Sequence, residues 1–205
     1  MDMSQYLREM AHAVQTFIPA VWVEHDNVNV ISAKVAKLEA ATTDGYQRVQ
    51  EILQVDEADE DGLATALHWD TYFGVDKETY HAGKELDALR QQEDARAFSR
   101  SAMSSTILHF AKQGISVVHG DLKGSPPGRD VHGICLSELI WMGRNQGLHW
   151  EEGGFGKGVT AVFDKLAAAD AVFGDYTDRS MGFEIVSLLG WRDYAAFESD
   201  LQSLS

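Results

Sequence analysis

The chain has 205 residues, 44% of them hydrophobic, and its 17 Lys and Arg stand against 32 Asp and Glu for a formal net charge of −15. That length and apolar content suit one helical domain over residues 1–205, and a lone cysteine, Cys135, excludes an internal disulfide and a cysteine-built zinc site. No stretch approaches the about 20 apolar residues that span a bilayer, and the acidic balance opposes a broad nucleic-acid groove, because affinity for a polyanion rests on Lys and Arg.

In chain order, Met1 to Met10 carries Asp2, Arg8 and Glu9 and lacks an apolar signal core, so a cytoplasmic protein is expected. Tyr6, Met10, Val14, Phe17 and Ile18 trace one face of a short helix that ends at Pro19, since proline disfavours helix in the residue before it. Val21-Trp22-Val23 then reads as a link. Val28, Ile31, Val35, Leu38, Ala41, Gly45, Val49 and Ile52 mark one side of a helix of about seven turns. The acidic run Asp56 to Asp61 is expected to be a solvated loop, followed by a short helix through Leu63, Leu67 and Tyr72 that ends at Gly74.

From about Lys77 to Gln113 the spacing predicts one long or broken helix with Leu86, Leu89, Phe98, Ile107 and Phe110 facing inward. Ile115 to His119 fits a short strand or a helix end equally well. Gly120-Asp121-Leu122-Lys123-Gly124-Ser125-Pro126-Pro127-Gly128 is a loop, because its glycines and paired prolines forbid regular structure. An apolar helix follows, from Asp130 as N-cap to Trp150. Cys135 lies on it and is expected to be a buried, inert thiol. Val159, Val162, Phe163, Leu166, Val172 and Phe173 define a further helix, and Phe183 to Leu189 with Trp191, Tyr194, Leu201 and Leu204 complete an all-α bundle.

The chemistry concentrates at the end of the apolar helix, in Arg144-Asn145-Gln146-Gly147-Leu148-His149. Polar groups placed directly after a core helix lie at the edge of something buried. Arginine offers a planar fork of donors suited to phosphate oxygens, and histidine gives or takes a proton near neutrality. Five residues turn a helix through about 140°, so Arg144 and His149 share no face of a regular helix, whereas Asn145 and His149 do as an i,i+4 pair. Gly143 and Gly147 flank the pair, which predicts a distorted last turn or close approach by another backbone, either of which suits a composite dimer cleft. Gly153 and Gly154 supply the stop.

Arg144-Asn145 and His149 resemble the Arg-x4-6-His signature of the HEPN superfamily, in which Asn, Asp or His commonly follows the arginine; the resemblance covers this one helix end. It implies an all-helical bundle that dimerises, bringing two copies of the motif into one cleft, and in active members a metal-independent endoribonuclease, often a toxin or antiviral effector. On that reading Arg144, Asn145 and His149 are catalytic. His149 is general base or acid for attack of the ribose 2′-hydroxyl on its own phosphate, Arg144 stabilises charge in the transition state, and Asn145 orients phosphate or histidine. RNA, including transfer RNA, is the implied substrate, a homodimer the implied assembly and a cognate antitoxin an implied partner. No cofactor or metal is called for.

Other readings of the same residues stay open. Arg144 fits a surface pair with Glu138, Glu151 or Glu152, and His149 a satisfied helix-end histidine. Glu24-His25-Asp26 and His68-Trp69-Asp70 are raw material for a metal hydrolase, and Glu78 and His81 stand three apart, yet a Glu-x2-His spacing by itself does not make a di-metal site. The alternative to an enzyme is a non-catalytic immunity or adaptor protein whose acidic face covers a basic partner.

Overall fold

The structure, a computed structural model, describes residues 1–56 and 76–205, less the side chains of 41, 42, 45, 46, 48–56, 76–80 and 82. The protein is an all-α bundle with one small hairpin. Helix α1 runs Met3–Asp56 and α2 runs Asp76–His119; strands β1 (Asp130–Val131) and β2 (Ile134–Cys135) precede α3 (Leu136–His149). A 3-10 turn, Trp150–Glu152, leads to α4 (Lys157–Ala169), a second 3-10 stretch covers Ala171–Thr177, and α5 (Gly182–Leu188) and α6 (Tyr194–Gln202) close the chain. Two compact units result, Met1–His25 with Ala97–Ser205, and Asp26–Arg96.

The smaller unit is a pairing of helices. Ile31 and Val35 of α1 meet Leu86 of α2, with Leu38 and Leu89 packed alongside, as the spacing predicts. Arg90 Nη2 lies 2.6 Å from Glu39, and Ser32 donates to Glu93. The inward face expected at Ala41, Gly45, Val49 and Ile52, the acidic residues Glu57 to Asp61, the helix through Leu63 and Tyr72, the His68-Trp69-Asp70 triplet and Glu78 lie outside the described residues.

The larger unit holds the main core. Val14, Ile18 and Val21 of α1 are fully buried, as are Ile107, Leu108, Ala111 and Ile115 of α2, Leu136, Leu139 and Ile140 of α3, and Phe163, Ile185, Trp191 and Phe197. Tyr6 ties α1 to α2 by donating its hydroxyl to Phe110 O at 2.7 Å, and burial pushes that phenol up to about 12. Helix α1 passes straight through Pro19, where the sequence predicts an end. Proline inside a helix costs about 3 kcal/mol, and the complete burial of Ile18 and Val21 on either side offsets it. Ile115 to His119 is helical, and Gly120, at φ +84°, ends α2.

Two further expectations are corrected around the hairpin. His132 and Gly133 both have positive φ, 53° and 77°, the pattern of a type I′ turn. Asp130 therefore accepts from Gly133 N at 3.0 Å instead of capping the helix, and α3 begins at Leu136 with Cys135 as its N-cap. Side chains alternate across a strand, so Ile134 points into the core and Cys135 is exposed, not buried. Phe98, expected to face inward, is 67% exposed. The Val159 to Phe173 helix is broken at Asp170, whose carboxylate accepts from Val172 N and caps the second 3-10 stretch.

Candidate active site at the end of α3

The six-residue motif divides by what each side chain touches. Gln146 is fully buried; its Nε2 donates to Tyr176 O at 2.7 Å and Arg179 O at 2.8 Å, and its Oε1 accepts from Met181 N at 2.8 Å. One amide thus pins the segment before α5 to α3. Gly147 presses against α2, where an added Cβ would stand 2.6 Å from Ser105 Oγ, and Ser105 donates to Gly147 O. Gly143 faces Ile185. What the two glycines admit is side chains of the same chain, Ser105 of α2 and Ile185 of α5, and not another backbone.

Arg144, Asn145 and His149 point the other way and are gathered into one cluster. Arg144 Nη1 lies 3.2 Å from Asn145 Oδ1 and 3.3 Å from His149 Nε2. On a regular helix Arg144 and His149 would lie on different faces. They meet because His149 leaves helical geometry, with φ −129° and ψ 16°, and because arginine is long. A 3-10 turn follows, and Gly153 in the left-handed region, φ +70°, ends it. That turn brings Glu152 Oε1 to 2.7 Å from His149 Nδ1.

A residue the motif does not contain completes the cluster. Arg144 Nε donates to His109 Nδ1 of α2 at 3.3 Å. Guanidinium nitrogens only donate, so the lone pairs of His109 Nδ1 and His149 Nε2 both face Arg144. His149 then carries its hydrogen on Nδ1, held by Glu152, and His109 carries its hydrogen on Nε2. Partial burial lowers the pKa of His109, and the positive charges of Arg144 and Lys112 lower it further, so its ring is neutral at pH 7. Among the described residues no carboxylate lies in ion-pair range of Arg144, and its Nη2 has no partner. Glu152, an expected partner for Arg144, belongs to His149 instead.

The motif opens onto a groove of about 410 Å³ between α3 and the start of α4, lined by Met142, Asn145, His149, Glu152 and the backbone of Gly154, Gly156 and Gly158. His149 is 45% exposed in its side chain, enough for a ligand to reach it. Lys112 lies 4.3 Å from the Trp141 ring centre, so a second cation flanks the cluster one turn from His109. An arginine with an open donor, set against two imidazoles, can bind an anion beside groups that move protons.

Another hollow, of about 440 Å³, lies between α2 and the residues around Leu148, Trp150 and Phe183. Near it, His25 is committed to packing: its Nδ1 is 3.2 Å from Arg100 Nη1, and its ring stacks on Phe183 at 4.8 Å. Among the described residues no group of three or more His, Cys, Asp and Glu side chains is placed to hold a metal ion, and no helix is long and apolar enough to cross a membrane.

The structure brings Arg144, Asn145 and His149 together, as expected from the sequence, and adds His109 and Glu152, which the motif does not single out. The one signal for His109 is a histidine inside the otherwise apolar run Ile107-Leu108-His109-Phe110-Ala111. Compared with family models, curated proteins and solved structures, the chain finds no match.

Proposed function

We propose that the protein is a metal-independent endoribonuclease of HEPN type, cutting RNA by attack of a ribose 2′-hydroxyl on the adjacent phosphate. The observation that carries the reading is the 3.3 Å approach of Arg144 Nη1 to His149 Nε2, with Glu152 behind the ring and Arg144 Nη2 open beside it. In the reaction Arg144 binds the scissile phosphate and stabilises the charge that grows on it. His149, fixed in one tautomer by Glu152, moves a proton, and Asn145 holds the guanidinium. A 2′,3′-cyclic phosphate and a 5′-hydroxyl end are the products.

A homodimer, a transfer RNA substrate, a cytoplasmic location and a toxin or defence role under a cognate antitoxin belong to the same proposal. The net charge of −15 favours a second reading, an acidic immunity or adaptor protein on a basic partner. For an enzyme, that charge limits contact to a few nucleotides near Arg144 and Lys112. Incubation with total and transfer RNA in EDTA, beside an Arg144→Ala, His149→Ala double variant, separates the two. EDTA-resistant cutting lost in the variant supports the nuclease, and equal background in both supports the binding protein.

A further inference from the structure

We propose that His109 is the second catalytic histidine of this site, the general base that takes the 2′-hydroxyl proton, while His149 is the general acid that protonates the leaving 5′-oxygen. The inference rests on the nuclease reading above and adds a residue from α2 that the motif does not contain. Its basis is geometric. One guanidinium touches both rings, through Nε at 3.3 Å to His109 Nδ1 and through Nη1 at 3.3 Å to His149 Nε2. Nη2, the remaining nitrogen of the same guanidinium, has no partner among the described residues.

A phosphate seated on Nη2 is therefore held by the guanidinium that touches both imidazoles, and as its oxygens accept from Arg144 the guanidinium hydrogens leave both ring lone pairs. Freed in this way, His109 Nδ1 takes the proton of the 2′-hydroxyl. The 2′-oxygen bonds to phosphorus, the bond from phosphorus to the 5′-oxygen breaks, and that oxygen takes a proton from His149 Nε2, loaded from solvent once Arg144 has moved off. His109 ends protonated and His149 neutral, and exchange with water restores both.

The two rings are unlike, which assigns the roles. Partial burial disfavours a charged ring at His109, and the positive charges of Arg144 from α3 and Lys112 from its own helix add to that effect. His149 has the Glu152 carboxylate 2.7 Å from Nδ1 as counter-charge for an imidazolium. Environments that differ in this sense divide a pair of titratable groups into base and acid.

The test compares wild type, His149→Ala and His109→Asn in RNA cleavage in EDTA, across pH. Asparagine can place its amide oxygen near the position of the histidine Nδ1, so it keeps the acceptor for Arg144 Nε and removes the proton transfer. The expected result is a loss of about 10³-fold in kcat and disappearance of the acidic limb of the pH profile, with an unchanged melting temperature at pH 7. His109→Ala is a second variant, and added imidazole should restore part of its activity. His109→Asn cutting within a few-fold of wild type with the limb retained, while His149→Ala is dead, would overturn the assignment and leave the nuclease reading standing. A wild-type protein that cuts no RNA overturns both.

Discussion

Arg144 is the residue on which most of the chemistry converges, because it donates to His109, Asn145 and His149. A lysine keeps the charge but offers a point in place of a fork. It cannot reach both imidazoles in the resting site or meet phosphate with a planar fork of donors. Arg144→Lys should therefore lower kcat/KM for RNA by about 10²-fold while leaving the circular dichroism spectrum unchanged; wild-type rates in that variant would remove the guanidinium geometry from the account. His109 makes a separate prediction about stability. Its folded-state pKa lies below the ordinary value, so the unfolded chain binds more protons as pH falls. The neutral ring's contribution is complete above about pH 6.5 and is lost as pH drops toward the lower folded value. Urea melts of wild type and His109→Asn should show wild type losing more stability than the variant below that pH, and parallel curves would contradict it.

At the scale of elements, α3 holds its site by giving one face to packing and the other to chemistry. Ser105 of α2 sits where Gly147 and Gly182 both need room, and an added Cβ at Gly182 would stand 2.9 Å from the Ser105 backbone nitrogen and 3.1 Å from Ser101 O. Backbone cannot swing aside as a hydroxyl can. Gly182→Ala should cost about 3 kcal/mol, toward the upper end for overpacking, and Gly147→Ala less, since its nearest atom is the rotatable Ser105 Oγ; the order of the two melting temperatures checks this. The helices were legible because apolar spacing reports the buried face directly, as at Ile31, Val35 and Leu86. Pro19 was misread because a local rule about proline carries no knowledge of the core packed on both sides of it. The hairpin before α3 escaped because a two-residue strand has too little periodicity to register, leaving His132-Gly133 as its only trace.

For the whole molecule, the C-terminal elements are locked to the hairpin by one partly buried ion network. Arg129 grips Asp200 with Nε at 2.7 Å and Nη2 at 2.8 Å and also donates to Leu189 O, while Trp191, fully buried, donates its indole N–H to Asp200 at 2.8 Å. Asp200→Ala leaves the buried Trp191 N–H without its acceptor and breaks the Arg129 pair, and should cost about 3 kcal/mol in urea unfolding; a loss below about 1 kcal/mol would mean the network behaves as a surface pair. None of this network was legible, since Arg129 and Asp200 are 71 residues apart and no local pattern joins them. The same reason hid His109, which lies 35 residues from Arg144, whereas Arg144, Asn145 and His149 were readable because they fall within one helix end.

The central claim is that this cluster cuts RNA without a metal, and the ends of the products test it most directly. RNA incubated with the protein in EDTA should yield 2′,3′-cyclic phosphate and 5′-hydroxyl ends in wild type and none above background in His149→Ala. Fragments with 5′-phosphate and 3′-hydroxyl ends, or cleavage undiminished in His149→Ala, would contradict the account.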